Sequence, residues 1–151
     1  YHGATTTAGE IGHAVVGPID PFNPNEPPGT LEQYISIKGL LQRAATLGLH
    51  TDLLDDIFSN HAVGRQIVAE AADLLAVRLS QIVALIDPQM IVLGGVVTRY
   101  GGEPFIADVR ERMQRYMARL VERPVPIVAS VLGAESVAIG GLALALESMN
   151  E

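Results

Sequence analysis

The chain has 151 residues, of which 48% are apolar and 18% charged, with no cysteine and a net charge of −7. That length suits one domain with a real core, and the composition excludes intrinsic disorder, a disulfide scaffold and a thiolate metal site. The acidic balance makes nucleic acid a poor general partner, and no apolar stretch, the one at Ala138 to Leu146 included, approaches the ~18 residues of a membrane span.

Taken in chain order, Gly9 to Gly17 reads as a turn followed by a strand that Pro18 ends. Pro18 to Gly29 holds five of the nine prolines and is expected to be a stiff, irregular loop. Thr30 is an N-cap candidate, with Leu31, Tyr34, Ile35 and Ile37 following at helical spacing. A second helix is predicted from Ile37 to Leu47, stopped by Gly48. Thr51 or Asp52 caps a short helix ending near Phe58. The longest periodic stretch runs from Val63 to Ile86. Its stripe is Ile67, Val68, Ala71, Leu74, Leu75, Arg78, Ile82 and Leu85, and Arg78 is its one polar member. Asp87-Pro88 breaks it. Met90 to Leu93 and Pro126 to Leu132 read as strands buried on both faces. A helix is predicted from Pro104 to Glu122, and an apolar helix from Ser136 to Met149 closes the chain. Strands alternating with helices predict an α/β domain over residues 1–151, with parallel pairing.

Four constellations bear on chemistry. Ala8-Gly9-Glu10-Ile11-Gly12-His13 places a carboxylate and an imidazole between glycines. Such a pair can hydrogen-bond neighbouring hydroxyls of a sugar or polyol, or it is a turn with a surface Glu and a half-buried His. Leu93-Gly94-Gly95 ends a strand, where α/β proteins bind ligands, or it is a tight turn. Glu32 falls in the first turn of a helix, a position that the helix dipole favours without any ligand. Arg112, Arg115, Arg119 and Arg123 share one helix face, read as a solvated face because Glu111 and Glu122 interrupt it. His2, His50 and His61 are isolated, and no role is assigned to them.

In order, three of these pieces resemble the ROK family of repressors, open reading frames and sugar kinases. They are Ala8-Gly9-Glu10-Ile11-Gly12-His13, the stretch Leu85-Ile86-Asp87-Pro88-Gln89-Met90-Ile91-Val92-Leu93-Gly94-Gly95, and the small-residue helix after Gly133-Ala134-Glu135-Ser136. The resemblance implies the C-terminal lobe of an actin-like ATPase (ribonuclease H-like) fold, with a mostly parallel sheet and packed helices. It implies sugar binding at Glu10, His13 and Glu32, and nucleotide binding at Gly94 and Gly95. Two departures qualify it. Asn23, Asn25 and Thr30 stand where the family's zinc loop carries cysteines, so a structural zinc is expected to be lost. The family's Asp-x-Gly-x-Thr phosphate loop and catalytic Asp are not found, so no activity is expected from this chain by itself.

The resulting expectation is the sugar-sensing lobe of a ROK-type transcriptional regulator, cytoplasmic and homodimeric. DNA would be met only through a separate N-terminal domain. The alternative is one lobe of an ATP-dependent sugar kinase of glucokinase or N-acetylhexosamine kinase type, using ATP and magnesium.

Overall fold

In a computed structural model, the structure describes residues 3–17, 29–59, 61–118 and 124–149. Its centre is a pair of long helices. The predicted apolar stripe forms α4, Ala62–Ile86. Ile67, Ala71, Leu75, Leu79 and Val83 recur at spacing four and are all buried. The stripe frays at its end, where Leu85 is 84% exposed. Asp87 stops the helix in the left-handed conformation (φ +50°), ahead of Pro88. Against α4 lies α5, Val96–Met117, through Phe105, Ile106, Val109, Met113 and Met117.

Shorter helices surround this pair: α1, Leu31–Ile35; α2, Ile37–Thr46; and α3, Leu54–Phe58. The predicted spacing from Leu31 through Ile37 breaks at Ser36, which accepts the Gly39 N–H at 3.2 Å and starts α2 instead. Thr51 does not cap α3 from the N-cap position. Its hydroxyl accepts the Leu53 N–H at 3.0 Å and donates to the Asp56 carboxylate. Gly64 lies so close to the Ile57 carbonyl that any β-carbon there would collide, and this permits the tight α3–α4 contact.

Polar ties cross the helix faces. Arg43 of α2 donates two hydrogen bonds to Glu70 of α4, at 2.7 and 2.8 Å. Arg112 of α5 bonds Asp73 of α4 at 3.0 Å and Asp108 at 2.8 Å, and Tyr116 donates to Asp73. Arg112 is therefore part of an ion-pair network rather than a solvated stripe, while Arg119 and Arg123 lie outside the described residues. Arg43 holds the Glu70 carboxyl below its usual range, and Tyr116, then Arg112, do the same for Asp73.

The sheet is smaller than expected. Among the described residues it comprises β1, Ile91–Leu93, and β2, Ile127–Ala129, parallel and in register Ile91↔Ile127 through Leu93↔Ala129. Parallel pairing follows the prediction, but the domain is mostly helical. Neither strand is buried on both faces, since Val92 is 53% exposed and Val128 37%. Short apolar runs do not reveal whether one face or both is covered.

Three further expectations are refined or corrected. The helix expected to begin at Pro104 does start there, after non-helical Gly102 (φ +55°), with Pro104 in its first turn; what the sequence did not show is the short helical segment 96–101 that precedes this break within α5. The strand expected within Gly9 to Gly17 is a 3-10 turn, Ile11–His13, and a single antiparallel bridge, Val15↔Thr30. The final helix forms as α6, Ser136–Ser148, but none of its residues is buried. The proline-rich segment 18–28 and the predicted helix end at 119–122 lie outside the described residues.

Candidate functional site

The 3-10 turn sets the geometry of the Gly-Glu-Ile-Gly-His segment. Gly9 takes φ +93°, which a side chain resists, and turns the chain into Glu10. The His13 N–H then bonds the Glu10 carbonyl at 3.1 Å, and the Ala14 N–H bonds that of Ile11 at 3.0 Å. A 3-10 helix has three residues per turn, so side chains three apart lie on one side. Glu10 and His13 are three apart. In the predicted strand they would have faced opposite ways; in the turn both line one open cleft of about 770 Å³. Both are exposed.

Thr6, Thr7 and Ala14 complete that lining. The two threonines went unnoticed in the sequence, though the run Thr5-Thr6-Thr7 directly precedes the motif. Thr6 is held at φ +60°, an unfavourable conformation for a β-branched residue. Its hydroxyl bonds the Thr5 carbonyl at 2.6 Å, and the Thr5 and Thr7 hydroxyls lie 2.8 Å apart.

Glu32 joins this region through backbone pairing. The Leu31 N–H bonds the Ala14 carbonyl at 2.9 Å, and the Val16 and Gly17 N–H groups bond the Gly29 carbonyl at 2.9 and 3.0 Å. Thr30 sits at the N-cap as predicted. Its N–H bonds Gln33 Oε1 at 2.8 Å, half of a capping box. Glu32 is exposed in the first turn of α1, beside Gly12. The structure thus brings Glu10, His13 and Glu32 to one end of the fold.

Gly94 and Gly95 stand elsewhere, at the carboxyl end of β1. The Ser130 N–H bonds the Leu93 carbonyl at 2.7 Å, so the ends of β1 and β2 lie side by side. Gly95 has φ +100° with open space where a β-carbon would point. A short helical segment, residues 96–101, follows Gly95 directly, and the break at Gly102 separates it from the longer helical run that the sequence placed after Pro104.

A second cleft, of about 820 Å³, lies beside the α5 kink. Phe58, Val68, Tyr100 and Phe105 line it, together with Arg65 and Asp108. The Phe58 and Tyr100 ring centroids are 6.0 Å apart. None of the predicted site residues lines it, and the adjoining Gly101-Gly102 pair is the only sequence signal nearby.

His61, which the sequence left without a role, caps α4: its Nδ1 accepts the Gly64 N–H at 3.0 Å. Among the described residues no three His, Asp or Glu side chains gather as a metal site. The chain has no thiolate donor, so a cysteine-bound zinc does not fit it. Among them, too, no helix is long and apolar enough to cross a membrane.

Comparison with known proteins identifies the family. The ROK family model matches residues 1–148. A bifunctional enzyme NanE/NanK of Brucella melitensis is 34% identical over 142 residues, covering 91% of this chain and 25% of that protein. An N-acetyl-D-glucosamine kinase of Yersinia pseudotuberculosis is 28% identical over 100 residues, covering 64% of this chain and 32% of that protein. A ROK family glucokinase from Streptomyces griseus, solved with glucose and AMPPNP, superposes with a TM-score of 0.73 at 25% identity, over 95% of this chain and 53% of that one. A ROK family protein from Streptococcus pneumoniae, solved with sucrose, shares the fold at a TM-score of 0.79 and 20% identity, over 99% and 52%. The chain spans about half the length of these solved proteins and a quarter to a third of the curated relatives. With the family model covering nearly all of its length, the chain belongs to the ROK family.

Proposed function

We propose that this chain is the sugar-facing half of an ATP-dependent sugar kinase. The observation that carries the reading is the 3-10 turn, which puts Glu10 and His13 on one side of a shared cleft with Glu32 beside the same turn. A carboxylate accepts from two hydroxyls, and an imidazole both donates and accepts, so the set suits the edge of a pyranose. Glu32 supplies a second carboxylate. Gly94 and Gly95 let a nucleotide approach the end of β1 and the start of α5.

The kinase is preferred to the sugar-responsive regulator because the named relatives are sugar kinases. The phosphate loop and the base that deprotonates the sugar are expected outside this chain. Phosphoryl transfer needs positioning and charge stabilisation from both halves, so this chain alone is expected to be inactive. A homodimer is the expected assembly.

The test uses the full-length protein with ATP, magnesium and either glucose or N-acetyl-D-glucosamine. ATP-dependent phosphorylation supports the kinase. Sugar binding without turnover, coupled to a change in DNA affinity, would restore the regulator. The double substitution Glu10→Ala, His13→Ala is expected to abolish sugar binding, and unchanged affinity would sink the site assignment.

A further inference from the structure

The polar member of the α4 stripe connects the helix to this site. Arg78 is half-buried on α4, in the stripe that runs through Leu74, Leu75 and Ile82. No carboxylate pairs with its guanidinium among the described residues. Its Nε is buried without a partner among the described residues, and Nη1 reaches Gln81 at 2.7 Å. Nη2 donates to the carbonyl of Val15.

Val15 is the residue of the site segment that bridges Thr30. Its neighbours Ala14 and Val16 bond across that bridge, to Leu31 and Gly29. Alternation along the segment therefore aims the Val15 carbonyl away from the bridge. Val15 is exposed, so its carbonyl is open to solvent as well as to a protein donor. Arg78 supplies that donor from a helix whose core residues are fully packed. His13 lies two residues before Val15, and Glu32 two residues after Thr30. One guanidinium thus holds the Val15↔Thr30 bridge, which joins the turn bearing Glu10 and His13 to the helix bearing Glu32.

We propose that Arg78 is a positioning residue for sugar, fixing the Glu10–His13 turn relative to Glu32 through the Val15 carbonyl. This rests on the sugar-kinase reading above. A charge-assisted hydrogen bond has the directionality for this task, and its loss is expected to weaken sugar binding about tenfold.

The experiment compares full-length wild type with Arg78→Met, which keeps the length without the donors, and Arg78→Lys, which restores one. Two readouts are taken: amide hydrogen exchange, and steady-state kinetics with glucose and N-acetyl-D-glucosamine against ATP. In Arg78→Met, protection of the Val16, Gly17 and Leu31 amides is expected to fall while the α4 and α5 amides keep theirs. The sugar KM is expected to rise about tenfold with kcat and the ATP KM nearly unchanged, and Arg78→Lys is expected to recover part of it. Unchanged exchange at those three amides overturns the anchor. Loosened amides with an unchanged sugar KM overturn the positioning role, as does an equal loss in sugar KM, ATP KM and kcat. If wild type phosphorylates neither sugar and binds neither, the kinase reading fails, and the exchange data then show whether Arg78 is a structural latch only, which overturns its role toward sugar.

Discussion

Gly12 lies directly against Glu32: a β-carbon built on Gly12 would stand 3.5 Å from the Glu32 Cβ and 3.8 Å from its Oε2. This contact couples the turn bearing Glu10 and His13 to the helix bearing Glu32. A single methyl at that distance is in ordinary van der Waals contact. Gly12→Ala is therefore expected to change stability by no more than about 0.5 kcal/mol. Gly12→Leu is expected to push the carboxylate aside. The sugar KM of the full-length protein should then rise about tenfold, the effect of ~1.4 kcal/mol, with little change in melting temperature. Equal kinetics for the two variants would show that Glu32 does not contribute to sugar binding.

Much of this arrangement was legible beforehand, and what was missed has a physical cause. The α4 stripe announced itself because its period of three and four persists through Ile67, Ala71, Leu75 and beyond. The Thr30 cap was legible from residue type. The turn at Glu10 was not, because three residues are too few to display a period, and Ile11, Val15 and Val16 imitate a strand. Arg78 was visible as an oddity in an apolar stripe, but its partner lies 63 positions away at Val15, and no local pattern reports that. The sheet was overestimated because apolar runs such as Met90 to Leu93 look alike whether one face or both is covered.

Acid should weaken the helix pair through two carboxylates. Arg43 holds the Glu70 carboxyl below its usual value, and Tyr116 foremost does so for Asp73. A group whose folded pKa is depressed contributes its stability above the unfolded pKa and loses it as pH falls through the folded value. Stability from these groups is thus expected to hold above about pH 5 and to decline below about pH 4. Their side chains are 39% and 45% exposed, so solvent screening limits each to roughly 0.2–1 kcal/mol. Melting temperatures of Glu70→Gln and Asp73→Asn, followed from pH 7 to pH 3, should show a shallower acid slope than wild type. An identical slope would mean that other carboxylates set the acid limit.

Ile106 is fully buried on α5, within the core that α4 and α5 share. Ile106→Ala removes three heavy atoms from a close-packed interior and leaves a cavity. The expected cost is about 2–5 kcal/mol by denaturant unfolding. By comparison, Leu144→Ala on α6, where the side chain is 69% exposed, is expected to cost under about 0.5 kcal/mol when this chain is unfolded by itself. If the two variants melt alike, the boundary between the core and α6 has been misplaced.

His61 is an unusual cap whose replacement should distinguish the two nitrogens of its ring. Its Nδ1 accepts from Gly64, so in the neutral ring the proton sits on Nε2. That Nε2 is buried and has no partner among the described residues. The cap therefore stabilises α4 at one atom while another buried polar atom goes unsatisfied. His61→Ala removes the acceptor and is expected to cost about 1 kcal/mol. His61→Ser keeps an acceptor within reach of the first turn and eliminates the orphaned N–H, so it is expected to match or exceed wild type in stability. Thermal unfolding of the three proteins at neutral pH decides the matter. Should Ser fall to the level of Ala, the imidazole stabilises α4 through its packing and not through the hydrogen bond to Gly64.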